Sequence, residues 1–457
     1  MRTGVTRPGV VVQRRRLDAR YFLSPGLQAM MRLDLAREAG LRLEPLKDIG
    51  RCWHPNRFKR TYAVAGEDSL PYLRPYDVFN YMPVAADWLS KTKTESLSTY
   101  LLTSGMLLQT ASGRNLGPAV AVDSYIAKFI LGDDMIRVEI EKELERYFVL
   151  SFMKSSTGQR LYQRHKTGSV IDHVSPVQLA NQLIPRFDKS VEQRIAGKMR
   201  DAVRTRERAR DTIQRAFDAY EERLPKVSRK IPKKNGWTVR AAALHGRLDA
   251  APSEPILDEI RRSLESMGGL ELDQYAEIIK PAGRYKTRYV EKEYGVPILS
   301  GTQALQATPI KLQHIAEGTL HEASRYSLRT GTIVFQADGR AEEGLGFPAV
   351  VTPDRDGWFA SGHVGRLVPK KGIDSGWLYL AVRSDCVQAQ LRALACGSVV
   401  DALYEEDIRR VVLPPPESDA TGVLGAWKLF TTAQSLEDEA ISDFERSLSD
   451  AIGDAPP

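Results

Sequence analysis

The chain has 457 residues, 42% of them hydrophobic and 27% charged, which is enough to bury two or three separate cores and too apolar for wholesale disorder. A formal charge of +7 and a pI near 9.1 point toward an anionic partner. Three cysteines (Cys52, Cys386 and Cys396) form no CxxC pair and no apolar stretch is long enough to span a bilayer, which argues against a disulfide framework, a zinc ribbon and a membrane protein, and leads to the expectation of a cytoplasmic one.

The opening MRTGVTRPGVVVQRRR holds three valines in a row, too few for a signal peptide. A helix is predicted over SPGLQAMMRLDLAREAG (24–40), which begins with Ser and ends in Gly as a capped helix does. The basic-aromatic stretch RFKRTY (57–62) follows, then LPYLRPYDV (70–78) and the apolar, glycine-punctuated YLLTSGMLLQTASGR (100–114), which reads as β. A helical patch, EKELERYFVLSFMKSSTGQRLYQR (141–164), leads to GSVIDHVSP (168–176) and to a closing strand around IPRF.

The same order then recurs. RLDA at 16–19 returns at 247–250, RFKRTY returns as RYKTRY (284–289), LPYLRPYDV as VPILSGTQA (296–304), YLLTSGMLLQTASGR as YSLRTGTIVFQADGR (326–340), and GSVIDHVSP as GSVVDALYE (397–405). The offsets are 231, 227, 226, 226 and 229 residues. Blocks in one order at one near-constant offset mark a tandem duplication. SEPILDEIRRSLESMGG (253–269) and WLYLAVRSDCVQAQLRALA (377–395) are the second copy's predicted helices, and VVLPPP its closing strand. The expected fold is therefore mixed α/β (α+β), with a first repeat over 16–187 and a second over 240–416.

A long helix is predicted after each copy, over 188–227 and 420–453. In the first, Ile195, Met199, Ala202, Arg206, Ala209, Ile213, Ala216 and Tyr220 alternate in steps of four and three, a heptad seam with one polar member. In the second, Ala433, Leu436, Ala440, Phe444 and Leu448 make a similar stripe. The first helix is basic and the second acidic, and the chain crosses a whole repeat between them, which favours antiparallel pairing as a coiled coil. The alternative is that each helix packs only on its own repeat.

Cations beside aromatic rings suit nucleic acid, because Arg and Lys neutralise phosphates and Arg also reads guanine edges. A solvated strand face would look the same in one copy; recurrence with the aromatic neighbours favours contact with DNA. Phe58, Tyr62, Tyr285 and Tyr289 are placed to face the core with the cations outward. The candidate DNA-binding residues are Arg57, Lys59, Arg60 and Arg74, then Ser112 and Arg114 in the SGR loop. In the second copy they are Arg284, Tyr285, Lys286, Arg288, Gln303 and Arg340. The SGR and DGR loops could equally be plain hairpin turns, and GSVID and GSVVD read as turn and helix-start chemistry. No P-loop, GxGxxG, GxSxG or NPP[YF] motif occurs, and the seven histidines share no HxH or HxxxH spacing. The chain is therefore expected to have no catalytic centre, no metal and no cofactor of its own.

A duplicated α/β unit, each copy followed by a long helix, resembles the DNA specificity (S) subunit of type I restriction–modification systems. The resemblance spans roughly 16–452 and rests on the RLDA openings, RYKTRYVEKEYGVPILSG with its twin RFKRTYAVAGEDSLPYLRP, the GR loops, and the endings TGSVIDHVSPVQLANQLIP and CGSVVDALYEEDIRRVVLPPP. It implies two target-recognition domains that each read half of a split sequence in double-stranded DNA. The helices would set the half-site separation and dock two methyltransferase (M) subunits, which would carry S-adenosylmethionine. A restriction/translocase (R) subunit would join for cleavage. The second helix is shorter than the family pattern and the linker 225–239 unusually basic, which leaves open a specificity module of a non-standard phage-defence complex. A duplicated protein-binding scaffold is the reading from another class.

Overall fold

The computed structural model describes residues 24–453 apart from 86, 114, 166–171, 228–235, 242–243, 245, 281–287, 317–325, 340–343, 398 and 418–419. The chain divides into two compact units: Met1–Val78, Asp87–Glu207 and Thr432–Pro457 form the first, and Phe79–Ala86 with Arg208–Thr431 the second.

In the first unit, helix α1 (Pro25–Glu38) is capped as its sequence predicts. The Leu27 N–H donates to Ser24 Oγ, and Gly40 ends the helix at φ +92°. Strand β1 (Arg42–Pro45) pairs antiparallel with β9 (Leu183–Arg186), so the two ends of the repeat meet. Strands β2 (Arg51–Trp53), β5 (Leu107–Thr110), β6 (Ala119–Ala121) and β8 (Met135–Glu139) form an antiparallel sheet in the order β2-β8-β5-β6. A second sheet is ordered β4-β3-β7, from β3 (Ser69–Leu73), β4 (Asp87–Ser90) and β7 (Ile130–Leu131), with β3 and β7 parallel. Leu107, Ile136 and Val138 are fully buried in one core with Phe148 and Phe152 of α2 (Glu143–Lys154) and Leu161 of α3 (Ser156–Gln163). Burying each such side chain stabilises by about 1.5–3 kcal/mol. The single helical patch expected over 141–164 is thus two helices. Ser155 divides them: its Oγ donates to the Phe152 carbonyl at 2.8 Å and accepts the Gly158 N–H at 3.0 Å, capping α3. Helix α4 (Pro176–Ala180) starts in a capping box between Ser175 and Gln178. Helix α5 (Lys189–Glu221) then begins.

The second unit repeats this plan. Helix α6 (Pro255–Ser266) ends before Gly268 at φ +89°, but Glu254 rather than Ser253 stands at its N-cap, with no side-chain capping bond. Strand β10 (Leu270–Glu271) pairs with β21 (Val412–Leu413) as β1 does with β9. After the short α7 (Leu272–Tyr275), strands β11 (Ala276–Ile279), β15 (Ile333–Gln336), β17 (Pro348–Val350) and β19 (Val364–Pro369) are ordered β11-β19-β15-β17. The other sheet, β12-β14-β13-β18, contains β12 (Tyr289–Val290), β13 (Val296–Leu299), β14 (Gln313–Ile315) and β18 (Phe359–Ala360), and again its proline-bearing strand β13 runs parallel to β18. Helix α8 (Gly301–Ala304) follows β13, and β16 (Asp338–Gly339) pairs with β20 (Asp401–Ala402). Helices α9 (Ser375–Arg383) and α10 (Asp385–Ala393) break at Ser384 as α2 and α3 break at Ser155. Helix α11 (Glu405–Ile408) follows, and the long α12 (Thr421–Ile452) starts in the second unit and belongs to the first from Thr432 onward.

The two long helices pair antiparallel. Within the first unit Arg194 and Lys198 of α5 meet Asp443, Lys198 also meets Glu439, and Arg206 meets Glu437, so rising numbers on α5 face falling numbers on α12. Of the predicted α5 seam, Ile195, Met199, Ala202, Arg206, Ala209, Ile213 and Tyr220 are buried, and Ala216 is half-buried. On α12 the expectation needs one correction. Leu436 is only half-buried, and Glu437 occupies the seam between Ala433 and Ala440, because the buried Arg206 guanidinium requires a counter-charge there. Phe444 lies 5.7, 5.6 and 5.4 Å from the rings of Phe148, Phe152 and Phe187. Helix α12 spans 32 residues to the 33 of α5.

Candidate nucleic-acid interface

In the first unit the basic-aromatic stretch lies beside β4. Tyr62 bridges to Leu89, and the Ser90 N–H donates to the Thr61 carbonyl at 2.9 Å. Phe58 turns inward and stacks on Tyr100 at 3.7 Å between centroids, while Arg57, Lys59 and Arg60 are exposed. Tyr62 departs from the inward expectation, being 59% exposed. Arg60 lies over the rings of Tyr72 and Phe58 at 5.3 and 5.7 Å. Burial pushes the Tyr72 hydroxyl up to about 12 although Arg60 works against it, so it stays protonated.

The SGR loop joins β5 to β6. Gly113 adopts φ +93°, and the Tyr76 hydroxyl lies 3.1 Å from where a Cβ would stand, so the site favours glycine twice over. The loop is more than a turn. Ser112 bridges to His173, and the Gly113 N–H donates to the Asp172 carbonyl at 3.0 Å. The glycine loop and the end of GSVIDHVSP, motifs about 60 residues apart, are therefore structural partners. In the second unit Asp338 and Gly339 of β16 pair with Ala402 and Asp401 of β20 in the same register.

These segments enclose an open cleft of about 630 Å³ in the first unit, lined among others by Arg57, Ser112, Asp133, Asp134, His173 and Gln178. Two carboxylates thus stand among the cations, a feature that no sequence motif announces. Asp133 takes Arg57 at 3.5 Å and Arg60 at 3.7 Å, and Asp134 Oδ1 accepts from Ser112 Oγ at 3.0 Å. The turn bearing both acids is anchored from within by Arg137. Its buried guanidinium donates to the carbonyls of Leu131 (2.8 Å), Tyr100 and Thr99 (both 3.3 Å), and burial lowers its pKa to about 10. Asp133 and Asp134 sit 76 and 77 residues beyond Arg57, so only the fold brings them together.

Arg57 and Ser112 thus line one cleft, Arg60 meets it through Asp133, and Lys59 is exposed in the same stretch. Arg74 does not join them: half-buried, its guanidinium is turned onto Asp87 at 3.2 Å. Gln303 is likewise committed elsewhere, since its Oε1 accepts the Ser300 N–H and its Nε2 donates to the Ile310 carbonyl at 2.7 Å. The pattern Ser300-x-x-Gln303 is a capping-box signature, which the sequence displays. Arg114, Arg284, Tyr285, Lys286 and Arg340 lie outside the described residues. Arg288 is exposed, and its carbonyl accepts the Ala316 N–H at 3.0 Å. Beside it Tyr289 is 56% exposed rather than inward. Near β16, Asp338 binds Lys280 at 2.9 Å and His363 at 2.8 Å. Among the described residues no cluster of His, Cys, Asp and Glu could hold a metal ion, and no helix is long and apolar enough to cross a membrane.

No family model matches the chain, and no curated protein matches it. Solved structures do. The type I restriction–modification S subunit of M. genitalium is 13% identical, with 90% of this chain and 92% of that chain covered and a TM-score of 0.30. The HsdS subunit of Thermoanaerobacter tengcongensis is 14% identical over 90% and 93%, at 0.27. The chain is similar to type I S subunits. A chain from a study of complex assembly and conformational transition in the type I R-M system is 16% identical over 90% and 96%, at 0.29. These are the family that the motifs resemble.

Proposed function

We propose that the chain is the non-catalytic, sequence-specific DNA-binding subunit of a type I restriction–modification complex, each repeat reading one half of a bipartite target. One observation carries this reading: the duplication persists below the level of the fold. In both units a glycine loop pairs with the GSV-type segment in one register. In the first unit that pairing opens a cleft lined by the exposed Arg57, with Arg60 beside it on Asp133 and Lys59 exposed in the same stretch. Two equivalent loop pairs in one chain suit a ligand with two half-sites. In this reading α5 and α12 space the repeats and dock two M subunits, S-adenosylmethionine resides on those subunits, and an R subunit completes the nuclease.

The test is duplex binding by the purified chain as a function of salt, followed by addition of an M subunit. The expected result is salt-dependent binding without methylation or cleavage, then adenine methylation at a split site once the M subunit is present. Methylation or cleavage by the chain alone, or no duplex binding at low salt, would overturn the proposal. The Asp133 carboxylate against Arg57 and Arg60 is the observation that favours the protein-binding scaffold instead, and the same salt titration separates the two.

A further inference from the structure

The cleft of the first unit contains something that phosphate binding does not require. Its cationic edge can neutralise a backbone, yet Asp133 and Asp134 line it as well, and a bare carboxylate repels a polyanion. Asp133 is offset by Arg57 and Arg60. Among the described residues the Asp134 side chain receives one neutral hydrogen bond, from Ser112 Oγ to its Oδ1, which holds the carboxylate in place without cancelling its charge. Such a group tolerates DNA only where the DNA presents a donor to it.

The base edges of the major groove differ sharply in this respect. Guanine offers two acceptors and thymine an acceptor and a methyl group. Adenine offers an amino donor directly beside the N7 acceptor, so a carboxylate gains one contact and suffers one repulsion. Cytosine alone offers an amino donor with no acceptor on its own base edge. We propose that Asp134 reads a cytosine in the first half-site, with Ser112 orienting its carboxylate. The inference rests on the DNA-binding reading above and adds the base.

The matched positions of the second unit carry different chemistry. By the strand register, in which the Ala111 N–H donates to the Asp134 carbonyl as the Ala337 N–H does to that of His363, Ser112 is matched by Asp338 and Asp134 by His363, so hydroxyl and carboxylate become carboxylate and imidazole. Asp338 is bound by both Lys280 and His363. The contact proposed for Asp134 therefore has no counterpart at the matched position of the second unit.

The experiment is selection of bound sequences from a random duplex library by the purified full chain. The wild type is expected to select a split motif with a fixed cytosine in one half. In Asp134→Asn that position should turn to adenine, which an amide contacts through N6 and N7, and the cytosine preference should fall at least about 5-fold. The other half should stay as it was, which also reports that the variant is folded. Ser112→Ala should weaken the cytosine preference without substituting another base. A wild-type motif lacking cytosine in both halves, or an Asp134→Asn motif identical to the wild type, overturns this inference and leaves the DNA-binding reading standing. A wild-type chain that selects no sequence overturns both.

Discussion

Arg206 and Glu437 form an ion pair 3.3 Å long in the seam between α5 and α12, with side chains only 8% and 2% exposed. Lys154 joins the same carboxylate at 2.7 Å. Two buried cations thus share one buried anion, and removing the anion leaves both uncompensated. Glu437→Ala is expected to cost about 3–5 kcal/mol, read as a lower denaturant midpoint. Replacing all three groups together (Lys154→Met, Arg206→Met and Glu437→Leu) should recover most of that loss. A single substitution costing under about 1 kcal/mol would mean the pair is solvated in solution.

The same carboxylate sets an acid limit. Burial alone would raise the pKa of Glu437, but Lys154 and Arg206 hold it below the usual range. For Glu445 burial is likewise outweighed, by the Thr157 N–H and Arg32. A carboxylate depressed in the folded state contributes stability that is present above its ordinary value and is lost as pH falls through the folded one. Thermal stability should therefore drop as pH falls below about 4.5, the ordinary value of both groups. Glu437→Gln should make that drop shallower. An equal slope in wild type and variant would assign the acid limit to other groups.

Replacing Arg57, Lys59 and Arg60 by Ala together should weaken duplex binding and flatten its dependence on salt by a unit or more, at roughly 0.9 for each phosphate that is no longer neutralised. Asp133→Asn should act the other way, since it releases two guanidiniums that the acid now holds. The changes Arg284→Ala, Lys286→Ala and Arg288→Ala should act on the other half-site. Unchanged affinity in both triple variants, with folding intact, would make the clusters ordinary surface.

The proposed ruler is tested by matched insertions. Helix α5 has 33 residues, about 50 Å at 1.5 Å per residue. Four residues added after Glu207 and four after Thr431 leave every ion pair of the seam with its partner and lengthen each helix by about 6 Å. In cells carrying the partner methyltransferase, the methylated motif should gain at most one or two base pairs of spacer, at about 3.4 Å per pair. Its half-sites should stay the same. A fixed spacer or altered half-sites would refute the ruler.

The repeat was legible because two copies of one plan leave the same punctuation in the sequence. Glycine loops, helix breaks at Ser155 and Ser384, and parallel proline strands all recur at the offsets of the motifs. Leu436 shows where periodicity fails. A template that rewards apolar residues passes over Glu437, because the reason for burying an acid lies on another helix at Arg206. The cleft was half legible for a related reason. Arg57 and Ser112 sit in motifs, whereas Asp133 and Asp134 become neighbours only through sheet order. Gln303 is the opposite case, a cap whose local pattern was plain and whose polarity suggested an interface.

The aromatic cluster around Phe444 bears on how the protein is made. Phe148, Phe152 and Phe187 leave the ribosome long before their fourth member, and about 260 residues separate Phe187 from Leu448. At roughly 5–20 residues per second that interval lasts about 13–50 s. During it the earlier-made core has no Phe444, Ala440 or Leu448 to close it, and a chaperone has its longest opportunity to bind. The half that is translated first is completed last, so a nascent chain stalled within α12 should expose the amino-terminal repeat to proteolysis before the repeat next to the stall.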